Sequence, residues 1–114
     1  MSGDAMWLVE SSDGSWGLPV RIALDRRSRI RGLRPEANAG GLVLRTRSVH
    51  GFGMRRSLGV LALDDQGRVH AATRLRPRRI VTIRAARWIV ELPADHPPPE
   101  RGAELVLLRR ILRS

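Results

Sequence analysis

Turn residues interrupt this chain so often that no apolar run outlasts a short strand. Met6-Trp7-Leu8-Val9 is closed by Ser11-Ser12-Asp13-Gly14-Ser15, and Leu58 to Leu63 is closed by Asp64-Asp65-Gln66-Gly67. A helix needs about ten or more residues of 3.6-residue periodicity, whereas a strand is complete in about four to eight. Punctuation at this spacing predicts short strands joined by tight turns.

The runs bear this out in their periodicity. Leu18 to Leu24 sets Val20, Ile22 and Leu24 against Pro19, Arg21 and Ala23, one face in and one out. Leu42-Val43-Leu44, Leu58 to Leu63, Arg68 to Thr73, Ile80 to Ile83, Trp88 to Leu92 and Ala103 to Leu108 supply further strands, seven or eight in all, and Val49 to Met54 is a Gly-broken segment. Asp64 to Gly67, between two of them, is the strongest hairpin signal. In the run Trp88 to Leu92, alternation puts Trp88, Val90 and Leu92 in the core and turns Glu91 outward. Only one segment reads as helix. Asp25 suits an N-cap, Gly32 a stop after Arg26 to Arg31, and Pro35 a terminator, giving a helix over Asp25 to Leu33. Pro97-Pro98-Pro99 makes residues 93–102 a loop, and a basic tail occupies 109–114. Strand spacing alone leaves a barrel or a sandwich open; the predicted fold is mainly β (β-rich α+β), a small closed or half-closed β-barrel of short strands with one short helix.

At 114 residues, 42% of them hydrophobic, the chain fits a single domain with one core. It has no cysteine, which excludes disulfides, thiolate catalysis and Cys-based metal sites. Met1 to Asp13 has no basic leader and no long apolar core, and nothing approaches the ~18–20 apolar residues of a membrane helix, so a cytoplasmic location is expected. The formal charge is +10, and all 21 basic residues are arginine. Codon bias in a GC-rich genome explains arginine in place of lysine. It does not explain the excess of base over acid, which draws polyanions through the summed field.

A more specific signal lies mid-chain. His50-Gly51-Phe52-Gly53-Met54-Arg55 precedes a strand and then Asp64-Asp65-Gln66-Gly67-Arg68-Val69. Together with Arg29-Ile30-Arg31-Gly32-Leu33, Gly41-Leu42-Val43-Leu44 and Val90-Glu91-Leu92-Pro93-Ala94, in this order, the pattern resembles domain-of-unknown-function family 192, the UPF0127-like proteins, over about residues 20–107. The resemblance implies a compact β-barrel-like domain and makes His50, Phe52, Met54 and Arg55 the candidate pocket. It implies no settled activity, and carries an association with envelope or pilus and secretion machinery. The chain departs from the family at Arg56-Ser57-Leu58-Gly59, where an aromatic-Pro-Ile/Leu-Asp stretch is usual, so that Gly59 replaces an acid. It departs again at Gly102-Ala103, where Gly-Asp is usual.

Catalytic chemistry is hard to assemble from these residues. His50 and His70 fall on neighbouring predicted strands, but no third ligand is spaced to join them, so neither a metal nor another cofactor is expected. Ser48 and His50 share a strand face without an orienting acid. No carboxylate pair stands ready for acid–base work. The expectation is a non-enzymatic binding or interaction module with a protein partner. The alternative is a basic nucleic-acid-associated protein that binds polyanions weakly through Arg74, Arg76, Arg78, Arg79, Arg84 and Arg87. Large aromatics dominate small cores, so Trp88 and Phe52 are expected inside.

Overall fold

The computed structural model describes residues 6–22, 40–52 and 54–111. Nine strands follow one another among them: β1 (Met6–Ser11), β2 (Gly17–Ile22), β3 (Gly41–Leu44), β4 (Ser48–His50), β5 (Leu58–Leu63), β6 (Val69–Leu75), β7 (Ile80–Thr82), β8 (Trp88–Leu92) and β9 (Leu105–Ile111). Among the described residues there is no helix. The helix expected over Asp25 to Leu33 lies outside them.

Seven strands form one sheet in the order β6-β5-β8-β3-β2-β1-β9, and β4 pairs with β7 separately. Every pairing is antiparallel except β2 with β3, whose parallel register matches Arg21 with Leu42. The sheet curls until its two outer strands meet at one end. There Val69 N–H donates to the Ala103 carbonyl (2.8 Å), Gly102 N–H to the Val69 carbonyl (2.9 Å) and Leu105 N–H to the Gly67 carbonyl (2.8 Å). The backbones of Arg68 and Glu104 form an isolated antiparallel β-bridge across the same seam. The result is the expected half-closed barrel, with the edge problem of an open sheet removed where the seam is sealed.

The turns follow from their residues. In the β1–β2 turn, Asp13 accepts from Ser15 N–H (3.0 Å) and from the hydroxyls of Ser15 and Ser11. These bonds, the Ser15 backbone bond foremost, hold its carboxyl down at about 2. In the β5–β6 hairpin, Asp64 accepts from Gln66 N–H and Arg68 N–H, and Gly67 takes the left-handed φ of 79° that closes the turn. The Arg68 bond is the first cause of that carboxyl's lowered pKa.

The barrel has two apolar layers. Inside it, Val9, Leu18, Val20, Val43, Leu61, Val90 and Leu92 pack together, with Trp88 half-buried against them and the Arg45 guanidinium 5.8 Å from the Trp88 ring centre. On the outer face of β3, β5 and β8, a second layer gathers Leu42, Leu44, Val60, Ala62 and Ile89 under Val49 of β4 and Val81 of β7. Each fully buried leucine or isoleucine contributes about 1.5–3 kcal/mol by leaving water. The small β4–β7 sheet thus serves as a lid on the barrel wall, and strands beneath it are apolar on both faces.

Three sequence expectations are corrected here. Glu91 does not face solvent: its side chain leaves the barrel on the Ile89 side, between Leu42 and Val60 in register, and is only 6% exposed. Phe52 is not core but 56% exposed. The chain from Arg109 is not yet tail, because β9 continues to Ile111 and pairs Arg109 with Leu8 and Arg110 with Trp7.

Candidate polyanion interface

The loop that follows β4 and the turn that joins β6 to β7 are built as one unit. Their link is Gly51. Its N–H donates to the Arg79 carbonyl (2.8 Å), and its carbonyl accepts from Arg78 N–H (3.0 Å) and Met54 N–H (3.2 Å). A Cβ at this position would collide with the Arg76 carbonyl oxygen. Only glycine lets the two backbones approach this closely.

This seating places an apolar cluster beside a basic turn. His50 pairs in register with Ile80, which is 63% exposed. The rings of His50 and Phe52 lie 5.2 Å apart, inclined by 38°, and Phe52 N–H points to His50 Nδ1 at 3.4 Å. Beside them the turn carries Arg76, Arg78 and Arg79, all exposed. Arg55 and Arg56, exposed as well, follow in the loop. Arg78 has a φ of 63°, a left-handed conformation that costs a side-chain-bearing residue about 1–2 kcal/mol. Its bond to Gly51 holds it there, and strain of this kind gathers at working surfaces.

The four motif residues therefore divide. His50, Phe52 and Arg55 reach the surface, whereas Met54 packs against the second apolar layer and anchors the loop. Ser48, on the same outward face as His50, shares its hydroxyl with Thr82 Oγ1 (2.6 Å).

The six arginines do not form one patch. Arg74 lies on β6, opposite Gly59, toward the end of the strand where Arg76, Arg78 and Arg79 follow. Arg84 and Arg87 lie at the opposite end of the barrel, where Arg87 N–H donates to the Leu63 carbonyl. The length of β5, roughly 20 Å for six residues, separates the groups. At that far end Arg87 is already paired with Asp65 (2.6 Å), beside an open depression of about 320 Å³ lined by Arg47, Asp64, Asp65, Gln66 and Arg84. His70 is likewise remote from His50. It is the extra residue of the bulge where Leu63 matches Val69 and Ala62 matches Ala71. Among the described residues, no three His, Asp or Glu side chains gather as metal ligands.

Residue-by-residue reasoning missed Glu91. Among the described residues its Oε1 has no hydrogen-bond partner, and burial pushes its carboxyl up to about 7. A lone acid within the apolar run Trp-Ile-Val-Glu-Leu was the signal.

Fold and surface together define a half-closed β-barrel with a basic, aromatic-tipped end. No family model matches the chain. It is 41% identical over 96 residues to a UPF0127 protein of Pyrococcus horikoshii, an alignment covering 77% of this chain and 84% of the relative. The chain belongs to the UPF0127 family, as its motifs led us to expect. Its fold also matches a solved structure from Sinorhizobium meliloti 1021, named as a candidate transcription regulator, with a TM-score of 0.69, 20% identity and coverage of 93% and 96% of the two chains. Among the described residues no helix is long and apolar enough to cross a membrane.

Proposed function

We propose that this protein is a non-enzymatic binding module whose working surface is the Gly51-linked loop and turn, and that its partner is a polyanion. The observation that carries this reading is the seating of Arg76, Arg78 and Arg79, with no ion pair among the described residues, against an exposed aromatic–apolar cluster. Guanidinium groups suit phosphates, which they grip through paired N–H donors. The far-end arginines are weaker candidates, because Arg87 spends its charge on Asp65. A non-catalytic role is supported by the Ser48 hydroxyl, which meets Thr82 rather than a histidine base, and by the apolar strand neighbours of Glu91. The Sinorhizobium neighbour's name points to transcription, a setting rich in polyanions, although the likeness itself is one of fold. The association with envelope or pilus and secretion machinery has no residue here to argue from, and the reading does not depend on it.

The test is a titration of a labelled single-stranded oligonucleotide over a range of salt. Each phosphate neutralised on a single strand adds about −0.7 to the log–log salt slope. Changing Arg76, Arg78 and Arg79 together to Ser is expected to make the slope shallower by about 2. Changing Arg84 and Arg87 to Ser is expected to leave it nearly intact. No binding at low salt removes the reading, and loss only in the Arg84/Arg87 variant moves the surface to the other end.

A further inference from the structure

We infer that the polyanion is an unpaired nucleic-acid strand, with bases stacked on Phe52 and His50 and phosphates held by the arginine turn. This rests on the binding reading above and narrows its ligand class. Charge alone does not account for what stands at this end of the barrel. A surface evolved only for a phosphate chain needs arginines; it gains nothing from a phenylalanine left 56% in water with Ile80, 63% exposed, nearby. Phe52 is the single phenylalanine of the chain, and it is not spent on the core. Its ring and that of His50, 5.2 Å apart, offer two neighbouring flat surfaces. Successive bases stack on such platforms regardless of sequence, while basic side chains follow the backbone.

The geometry also selects the strand state. In a duplex the base faces are already stacked on one another, so aromatic rings at a protein surface can meet them only after the stack is opened. The rings and arginines here lie on a loop and a turn seated together; among the described residues of this patch there is no helix, and the β4–β7 ribbon beside it is only three residues to a strand and is held against the barrel wall through Val49 and Val81. An unpaired strand presents both its base faces and its phosphates to such a surface at once.

The experiment compares five probes on the full chain: a thymidine 15-mer, an abasic strand of the same length, a duplex of the same length, polyphosphate and polyglutamate. The thymidine strand is expected to bind tightest, ahead of the abasic strand by about tenfold or more, the range expected for one or two stacked bases. Phe52→Ala is expected to remove that advantage and leave polyphosphate binding unchanged, whereas Phe52→Trp retains it. Because Phe52 is exposed, neither change threatens folding. Equal affinity for the thymidine and abasic strands, unaffected by Phe52→Ala, overturns stacking while the polyanion reading stands. Preference for duplex overturns the strand assignment, and preference for polyglutamate replaces nucleic acid with an acidic protein partner. Failure of every probe at low salt removes both readings together.

Discussion

Between about pH 4 and pH 8 the protein is expected to lose about 3 kcal/mol of stability through one side chain, Glu91. Burial raises its carboxyl from the ordinary 4.5 to about 7. Between those values the folded chain holds a proton there that the unfolded chain has released. The contribution is therefore fully present below about 4.5, falls as the pH rises, and levels off once the folded carboxyl is also ionised above about 7. Glu91→Gln keeps the shape and removes the titration. Against wild type, its stability advantage should be near zero at about pH 4 and grow to about 3 kcal/mol by pH 8. Denaturant midpoints of the two proteins at several pH values check this, and the comparison cancels the other carboxylates and histidines. A difference that stays constant with pH contradicts a buried Glu91 carboxyl with no partner for its Oε1 among the described residues.

The second large effect is expected at Gly51. Gly51→Ala drives a methyl group into the Arg76 carbonyl, a backbone atom that no rotamer change can move aside. The loop and turn must separate, losing the Gly51–Arg79 and Arg78–Gly51 bonds that join them. Overpacking of this kind costs about 1–3 kcal/mol. Oligonucleotide affinity should fall with it, although no arginine or aromatic has been altered. A variant as stable as wild type would mean that the loop and the basic turn are not seated on one another.

Much of the fold was legible because turn chemistry is local. Asp64 and Gly67 specify the β5–β6 hairpin through their own bonds and φ angle, and neighbours in the chain suffice to read them. The β-rich fold followed from strand spacing, and the barrel and the family from ordered motifs. What failed were inferences about the second face of a strand. Alternation assigns Glu91 to solvent only if solvent is there, and the β4–β7 sheet layers over that wall of the barrel. The uninterrupted apolar runs of β3 and β5, flanking β8, already signalled burial on both faces. Phe52 was placed inside by size, whereas its position between Gly51 and Gly53 in a tight loop takes it out of any layer. The arginines looked like one segment because they are close in sequence. The short strand β7 carries the chain from one end of the barrel toward the other between Arg79 and Arg84, and that separation is tertiary.

The central claim is that one end of the barrel, and not the other, meets the ligand. Backbone amide signals of nitrogen-15-labelled protein, followed while the thymidine 15-mer is added at low salt, test it most directly. The largest shifts are predicted at Gly51, Phe52, Arg78, Arg79 and Ile80, with Gln66, Ala85 and Arg87 almost unmoved. Shifts concentrated at Asp65, Arg84 and Arg87, or spread evenly over the arginine-bearing surface, would contradict it.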